Sequence, residues 1–385
     1  MSDHLIIHGA RKLDADGVVD DFWLATTGNR IDAVGSGNAW RAHAGDAVTV
    51  DADGHWLTPG FIDLHGHGAG GYSYDSGPDE LDAAIATHRA HGTTRSVVSL
   101  VANPLAALRD TLEDIADLAE RDPLVLGAHL EGPFLAPTKR GAHNPDFLRD
   151  PDPELVENLI AAARGSLRQI TIAPELPNAL ESIDVLVEAG VIVAVGHTEA
   201  TEAQARAAFD RGARMLTHAF NAMPGIQHRA PGPIVAAFDD ERVTLELILD
   251  GLHVHPDVAH LAFTQAPGRI ALITDAMAAA GAADGDYQLG TLNVTVADGL
   301  AVLSGTETIA GSTLTQDLAL RIAVERTRLA PATAIEALTL TPARVLGRDH
   351  DLGLLRPGYL ADAVLLDHEW TVRGVWADGR DLVAG

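Results

Sequence analysis

The sequence predicts a (β/α)8 barrel of the TIM-like α/β class, with a small β-sandwich domain formed from both ends of the chain. Both ends show short alternating apolar and polar runs separated by Asp-Gly and Gly-Asn turns. The middle alternates strand-like apolar runs with Ala-rich helical stretches eight times. A chain of 385 residues has room for both parts. We expect the small β domain to comprise residues 1–58 and 352–385 and the barrel to comprise residues 59–351.

The eight strand-like runs of the middle region are assigned as follows. They span residues 60–65, 95–101, 124–131, 169–175, 191–197, 215–221, 243–250 and 270–275. Segments typical of helices, such as PDELDAAIATHRAHG and ATEAQARAAFDRG, lie between them. A doubly wound open sheet would use the same local units. The closed barrel is favoured because several runs end in polar residues, and barrels build their active sites at the carboxyl ends of their strands.

Composition restricts the function classes. Lys and Arg number 27 and Asp and Glu 54, so the net charge is −27, and 46% of the residues are hydrophobic. A chain this apolar forms a large core, and a surface this acidic disfavours nucleic acid and anionic membrane partners. The absence of cysteine excludes disulfides, thiolate metal sites and cysteine nucleophiles. The first residues lack a signal-peptide pattern and no apolar window reaches membrane-spanning length, which predicts a cytoplasmic protein.

The first run of the middle region ends in DLHGHG, which places His65 and His67 two residues apart. Residues i and i+2 of a strand project from the same face, so both imidazoles could bind one metal ion. In isolation the pair is equally compatible with two polar residues at the entrance of a loop.

Later runs add further metal-binding side chains. Glu131 ends the run AHLEGPF, His197 follows VAVG, His218 lies in LTHAFNAM and Asp275 lies in ITDAM. Each alone is compatible with a core or helix-capping role. Together, four histidines and two carboxylates end five predicted strands on one rim. Imidazole and carboxylate ligands without sulfur are typical of hydrolytic sites with Zn²⁺, Fe²⁺, Co²⁺ or Mn²⁺.

The ordered motifs HLEGPF, KRGAHNP, GHTEA, THAFNAM, DGLHVHPD and ITDAM resemble those of the N-acetylglucosamine-6-phosphate deacetylase family of the amidohydrolase superfamily, over essentially the whole chain. The resemblance implies metal-dependent hydrolysis of N-acetyl-D-glucosamine 6-phosphate to D-glucosamine 6-phosphate and acetate, with one or two metal ions per subunit, zinc foremost. It implies the metal ligands His65, His67, Glu131, His197, His218 and Asp275, with Glu131 as the bridging carboxylate. Many amidohydrolases instead use a carboxylated lysine in the fourth strand, but neither Lys12 nor Lys139 lies there.

The same resemblance implies the remaining roles. Asp275 is the expected general base and then acid, and His143 is the expected donor to the acetyl oxygen. Arg229, which in this family reaches across from a neighbouring subunit, and His253 are expected to bind the phosphate, and a homodimer is expected with them. The full set of expected substrate-binding residues is Ala142, His143, Asn221, Ala222, Arg229, Asp250, His253, Ile309, Ala310 and Gly311, with Asn221 and Ala222 acting through backbone N–H groups.

Three alternatives stay open at this point. The enzyme could act on N-acetylgalactosamine 6-phosphate, which differs in the configuration of one hydroxyl group. It could be another amidohydrolase acting on cyclic amides, which the missing fourth-strand lysine disfavours. It could also be a non-catalytic barrel that binds sugar phosphates, which the intact set of ligands disfavours.

Overall fold

The computed structural model describes residues 4–383, which form 21 strands and ten α-helices. The strands are β1 (Leu5–Asp14), β2 (Gly17–Thr27), β3 (Arg30–Ser36), β4 (Val48–Asp51), β5 (Trp56–Pro59), β6 (Phe61–Asp63), β7 (Gly68–Ala69), β8 (Tyr72–Ser73), β9 (Thr93–Leu100), β10 (Val125–Glu131), β11 (Leu167–Ile172), β12 (Ile192–Val195), β13 (Met215–Leu216), β14 (Thr244–Ile248), β15 (Ile270–Ile273), β16 (Gly285–Leu289), β17 (Leu292–Ala297), β18 (Leu300–Leu303), β19 (Ala363–Leu366), β20 (Val372–Ala377) and β21 (Arg380–Asp381). The helices are α1 (Pro78–Ala90), α2 (Leu105–Arg121), α3 (Pro153–Ala162), α4 (Ala179–Glu188), α5 (Glu202–Asp210), α6 (Gly232–Asp239), α7 (Pro256–Gln265), α8 (Gln316–Arg326), α9 (Pro331–Leu338) and α10 (Leu340–Val345).

The central sheet has eight parallel strands in the order β15-β14-β13-β12-β11-β10-β9-β6. Each of the eight predicted runs overlaps one of these strands. A parallel bridge between Gly66 and Ala276 links the segments that follow β6 and β15, and the amide of Asp275 donates to the carbonyl oxygen of His65 at 2.8 Å. The sheet is therefore a nearly closed barrel, which confirms the predicted fold class.

Sequence patterns explain these elements. Every residue of β9 and of β10 is buried, as expected for parallel strands covered on both faces. On α2 the buried residues Leu108, Leu112 and Ile115 recur at helical spacing. Helix α5 begins with a capping box, in which the hydroxyl of Thr201 accepts from the amide of Gln204 and the Gln204 side chain accepts from the amide of Thr201.

The two ends of the chain form a mixed eight-stranded sheet in the order β21-β20-β19-β5-β1-β2-β3, with β4 paired to β1. Its core includes Ile7, Leu24, Leu57 and Leu365, which come from both ends of the sequence. The prediction that both ends share a small β domain is therefore confirmed.

The described chain divides into two compact units. One comprises residues 4–63, 88–95 and 316–383, and the other comprises residues 64–87 and 96–315. The first unit includes α8, α9 and α10 besides the mixed sheet. The boundaries expected from the sequence, at residues 58 and 352, stay a prediction.

An antiparallel three-stranded sheet, β16-β17-β18, follows β15 and was not predicted. Its buried residues Leu289, Val294 and Val296 pack in one cluster with Ala142 and Ala310. The amide of Ser312 donates to the carbonyl oxygen of Asp275 at 2.7 Å, so the end of this insertion is fixed to the residue two positions beyond β15. Within residues 4–383 no helix combines the length and apolarity needed to span a membrane.

Candidate active site

Six side chains predicted to bind metal lie at the carboxyl ends of the barrel strands, and all six are buried. They are His65 and His67 after β6, Glu131 at the end of β10, His197 after β12, His218 after β13 and Asp275 after β15. Strands β6, β12 and β15 end two residues earlier than the sequence suggested and β13 ends five residues earlier, whereas β10 ends at the expected residue. His197, His218 and Asp275 consequently adopt positive φ angles of 46°, 26° and 47°. Such left-handed backbone is uncommon outside glycine and is concentrated at functional sites.

The six side chains converge on the carboxylate of Glu131. Its Oε1 atom lies 3.0 Å from Nε2 of His197 and 3.0 Å from Nε2 of His218. Its Oε2 atom lies 3.1 Å from Nε2 of His67. Asp275 Oδ1 is 3.3 Å from the same nitrogen of His67. Residues far apart in sequence therefore meet around Glu131, which has the central position expected of a bridging ligand.

The donor set fits divalent metal ions. Two groups have ligand atoms that all lie within 4.8 Å of one another: His65, His67, Glu131 and Asp275 form one, and Glu131, His143 and His197 form the other. Nε2 atoms also approach each other, at 3.2 Å between His65 and His67 and at 2.9 Å between His197 and His218. Imidazole nitrogens that face one another around carboxylates are suited to share a cation such as Zn²⁺.

Hydrogen bonds on the outer side of the rings orient these nitrogens. Nδ1 of His197 donates to the carbonyl oxygen of Lys139 at 2.8 Å, which leaves its Nε2 lone pair directed at Glu131. His143 has the opposite arrangement, because its Nδ1 accepts from the amide of Ala102 at 3.2 Å. A neutral His143 ring therefore holds its proton on Nε2, which lies 3.3 Å from Glu131 Oε2.

Both carboxylates of the centre are ionised at neutral pH. Burial raises the pKa of Glu131, but the charge of His65 and the hydrogen bonds with His143 and His197 outweigh this effect and hold the pKa well below its ordinary value. Burial also raises the pKa of Asp275, and His65 and His67 reverse this effect and lower it. The two ionised carboxylates consequently give the centre a negative potential that attracts protons or metal cations.

The pKa values of His65 and His67 reflect the same negative potential. Burial lowers the pKa of His67, but Asp275 and Glu131 raise it more, to about 9. The pKa of His65 is likewise raised, because the charges of the surrounding carboxylates outweigh its burial. At His197 burial dominates and lowers the pKa to about 4, so this ring is neutral and ready to act as a ligand. A bound divalent cation would replace the protons that His65 and His67 otherwise hold.

A cavity of about 410 Å³ opens onto this centre. Of the residues predicted to bind substrate, it is lined by Ala142, His143, Asn221, Ala222, His253, Ile309 and Gly311. Lys139 and Arg140 also line it, although the sequence analysis gave neither a role. Their place in the motif KRGAHNP, beside His143, was the available signal. They bring positive charge to a cavity that belongs to a strongly acidic chain.

Three predicted substrate-binding residues lie outside the lining of the cavity. Arg229 is exposed on the loop before α6. Asp250 instead binds His253, accepting from its Nδ1 at 2.7 Å. Ala310 is buried, and its amide donates to the carbonyl oxygen of Ala301 within the three-stranded insertion.

The two expected backbone donors differ. The amide of Asn221 already donates to the carbonyl oxygen of His218 at 3.0 Å, so it is engaged within the chain. Ala222 has a positive φ of 50° and lines the cavity, where its amide is available to an anion.

Gly311 lies close to Asp275. A Cβ atom there would be 3.0 Å from the carbonyl oxygen of Asp275, and the residue has a φ of +60°. Both features favour glycine, because any side chain would displace the backbone next to the metal centre.

Comparison with known proteins gives consistent results. The model of the amidohydrolase family matches residues 56–381. The chain is 39% identical over 380 residues to N-acetylgalactosamine-6-phosphate deacetylase of Escherichia coli O157:H7, covering 97% of this chain and 98% of that protein. It is 34% identical over 329 residues to N-acetylglucosamine-6-phosphate deacetylase of Vibrio furnissii, covering 84% of this chain and 82% of that protein. A crystallised mutant of N-acetyl-D-glucosamine-6-phosphate deacetylase from Mycobacterium smegmatis, in complex with N-acetyl-D-glucosamine-6-phosphate, is 41% identical, with a TM-score of 0.94 and full coverage of both chains.

Proposed function

The chain belongs to the amidohydrolase family of metal-dependent hydrolases, and from this premise we propose that it hydrolyses N-acetyl-D-glucosamine 6-phosphate to D-glucosamine 6-phosphate and acetate. The observation that carries the proposal is the cluster of four histidines and two carboxylates, centred on Glu131, onto which the cavity opens. The chain is an enzyme of this family, so the non-catalytic sugar-phosphate binder is no longer a rival.

We propose that the metal is zinc. His65, His67, Glu131, His197, His218 and Asp275 would hold one or two ions. Bound zinc lowers the pKa of a coordinated water and polarises a carbonyl group. The remaining chemistry belongs to side chains of the protein.

Asp275 is the proposed proton carrier. Its lowered pKa keeps it ionised at neutral pH, so it can accept a proton from the attacking water. It then returns this proton to the amide nitrogen, because an amine leaves only when it is protonated. The Asp275 carbonyl oxygen accepts from Ser312, which fixes the backbone of this residue during the transfer.

His143 is the proposed donor to the acetyl oxygen. Its Nδ1 atom accepts from the amide of Ala102, so the Nε2 proton faces the cavity. A donor fixed in this position stabilises the negative charge that develops on the oxygen as the amide is attacked.

We propose that the phosphate is bound by His253, by the amide of Ala222 and by Arg229 of a second subunit. His253 lines the cavity and is held by Asp250, whereas Arg229 of the same chain does not line it. A homodimer in which Arg229 crosses the interface would complete the phosphate site, with Lys139 and Arg140 adding positive charge. The cytoplasmic location expected from the sequence stays a prediction.

The second candidate substrate is N-acetyl-D-galactosamine 6-phosphate. It is favoured by the E. coli relative, which is similar to this chain over nearly its whole length. The two sugars share the acetyl amide and the phosphate, so the metal centre and the phosphate donors act alike on both.

Acetate release from the two epimers, measured with purified protein, tests the proposal. We expect activity that is lost when the metal is removed by a chelator and regained when zinc is restored, with the higher kcat/KM for the gluco epimer. Activity that survives confirmed metal removal would refute the mechanism. A higher kcat/KM for the galacto epimer would refute the substrate but not the chemistry.

A further inference from the structure

Glu246 is a fully buried carboxylate inside the barrel, on β14, and none of the roles above uses it. Its Oε2 atom lies 3.1 Å from Nδ1 of His65 and also accepts from the amide of His218 at 3.3 Å. Its Oε1 atom accepts from the Gln169 side chain at 2.6 Å. Donors from three separate parts of the barrel therefore hold this carboxylate in one orientation.

These contacts fix the state of His65. A carboxylate only accepts hydrogen bonds, so Nδ1 of His65 must hold a proton. The Nε2 lone pair of the neutral ring then faces the centre, where Nε2 lies 3.5 Å from Glu131 Oε1 and 3.5 Å from Asp275 Oδ1. Carboxylates that hold a metal-binding histidine in this way raise its basicity and orient its ring.

His65 differs in this respect from the other histidines of the centre. His197 donates to a backbone carbonyl, while Nδ1 of His67 and Nδ1 of His218 have no hydrogen-bond partner in the described structure. Glu246 therefore supports an imidazole ring only in the half of the centre formed by His65 and His67. In the half formed by His197 and His218 it accepts only from the backbone amide of His218.

The buried negative charges also favour bound cations at this centre. Glu246 adds a third buried carboxylate to those of Glu131 and Asp275. Burying a carboxylate costs several kcal/mol unless a positive charge compensates it. The three carboxylates therefore require bound positive charge, which divalent cations supply.

We propose that Glu246, held by Gln169, is a positioning residue that presents His65 to a metal ion, so that the centre binds two ions per chain. This inference rests on the metal centre of the proposed function, but not on the identity of the sugar. Loss of the carboxylate should weaken binding at the His65 and His67 half by about 10- to 100-fold.

The test measures zinc per chain in the purified holoenzyme after equilibration in buffer of defined free zinc. We expect two equivalents in the wild type and one in Glu246→Gln and in His65→Gln. We also expect no further loss in the double variant, because both changes remove the same interaction. Glu241→Gln makes the same chemical change on an exposed side chain just before β14 and should retain both equivalents.

Glu246→Gln with two equivalents and unchanged zinc affinity would overturn the proposal, as would a wild type that saturates at one. Should Glu246→Gln fail to fold, electron paramagnetic resonance of manganese-loaded wild type decides the stoichiometry, because two neighbouring ions couple and a single ion does not. A wild type that binds two ions but releases no acetate from either sugar would refute the proposed function and leave this inference standing.

Discussion

Replacement of Asp250 by asparagine tests the contribution of its charge to His253, the proposed phosphate donor. Asp250 Oδ2 accepts from Nδ1 of His253 at 2.7 Å, and the two side chains are only 10% and 7% exposed, so solvent screens the pair little. Oδ1 accepts from the amides of Leu252 and His253, both at 2.8 Å. An asparagine can keep these backbone bonds with its own oxygen, so the loop should survive.

The expected rise in KM follows from the change in the hydrogen bond between His253 and the phosphate. The asparagine amide would face Nδ1 of His253 and leave that ring neutral, with its proton on Nε2. In the wild type, a ring that donates to the Asp250 carboxylate and to the phosphate at once must hold both protons. The variant would replace this charged donor, worth about 1.5–3 kcal/mol, by a neutral one, worth about 0.5–1.5 kcal/mol. The difference of about 1–1.5 kcal/mol corresponds to a rise in KM of about tenfold, with kcat nearly unchanged.

Acetate release from the phosphorylated and the unphosphorylated sugar distinguishes this role from a general defect. We expect the KM effect only with the phosphorylated sugar. Asp257→Asn is the matched control, because Asp257 lies 3.8 Å from His255 in a pair that is 70% and 71% exposed. An unchanged KM in Asp250→Asn, or an equal loss with both sugars, would refute the reasoning.

Three further outcomes are expected. Asp275→Asn should lower kcat by about 10²- to 10⁴-fold, because general acid–base transfer is lost; near-normal kcat with unchanged metal content would exclude Asp275 as the proton carrier. Arg229→Ala should raise KM for the phosphorylated sugar and leave kcat almost unchanged. In mixed dimers of an Arg229→Ala chain and an Asp275→Asn chain, active sites with normal KM should appear only if Arg229 acts across the dimer interface. The pKa of His67 is about 9 in the metal-free chain against an ordinary 6.5, so its contribution to stability is complete below pH 6.5 and lost as pH rises through 9. The Tm of metal-stripped protein should therefore fall over that range while that of zinc-loaded protein stays level, and parallel curves would contradict this assignment.

The strand pattern and the candidate metal-binding side chains were predictable from local sequence. Each apolar run became a barrel strand, and the polar residue that ends a run is visible without knowledge of the fold. The exact strand ends were not predictable. His197 and Asp275 follow the strands with left-handed backbone, which their residue types do not predict.

Contacts between side chains on distant strands could not be predicted from the sequence. Glu246 and Gln169 are 77 positions apart and read as ordinary polar residues of a strand. Their importance follows only from the barrel, which places both behind His65. The sheet β16-β17-β18 escaped prediction for a related reason, since its short runs of four to six residues resemble irregular loops.

The three-stranded insertion forms part of the cavity wall without supplying any of the candidate metal-binding side chains. It reaches the cavity through Leu289, Ile309 and Gly311, yet it joins the barrel near the metal centre through the backbone bonds of Ser312 with Asp275 and Met277. A different insertion that kept those two bonds would reshape the wall facing the sugar ring and leave the hydrolytic machinery intact. Substrate preference in this scaffold can therefore evolve, or be engineered, by exchanging one self-contained module.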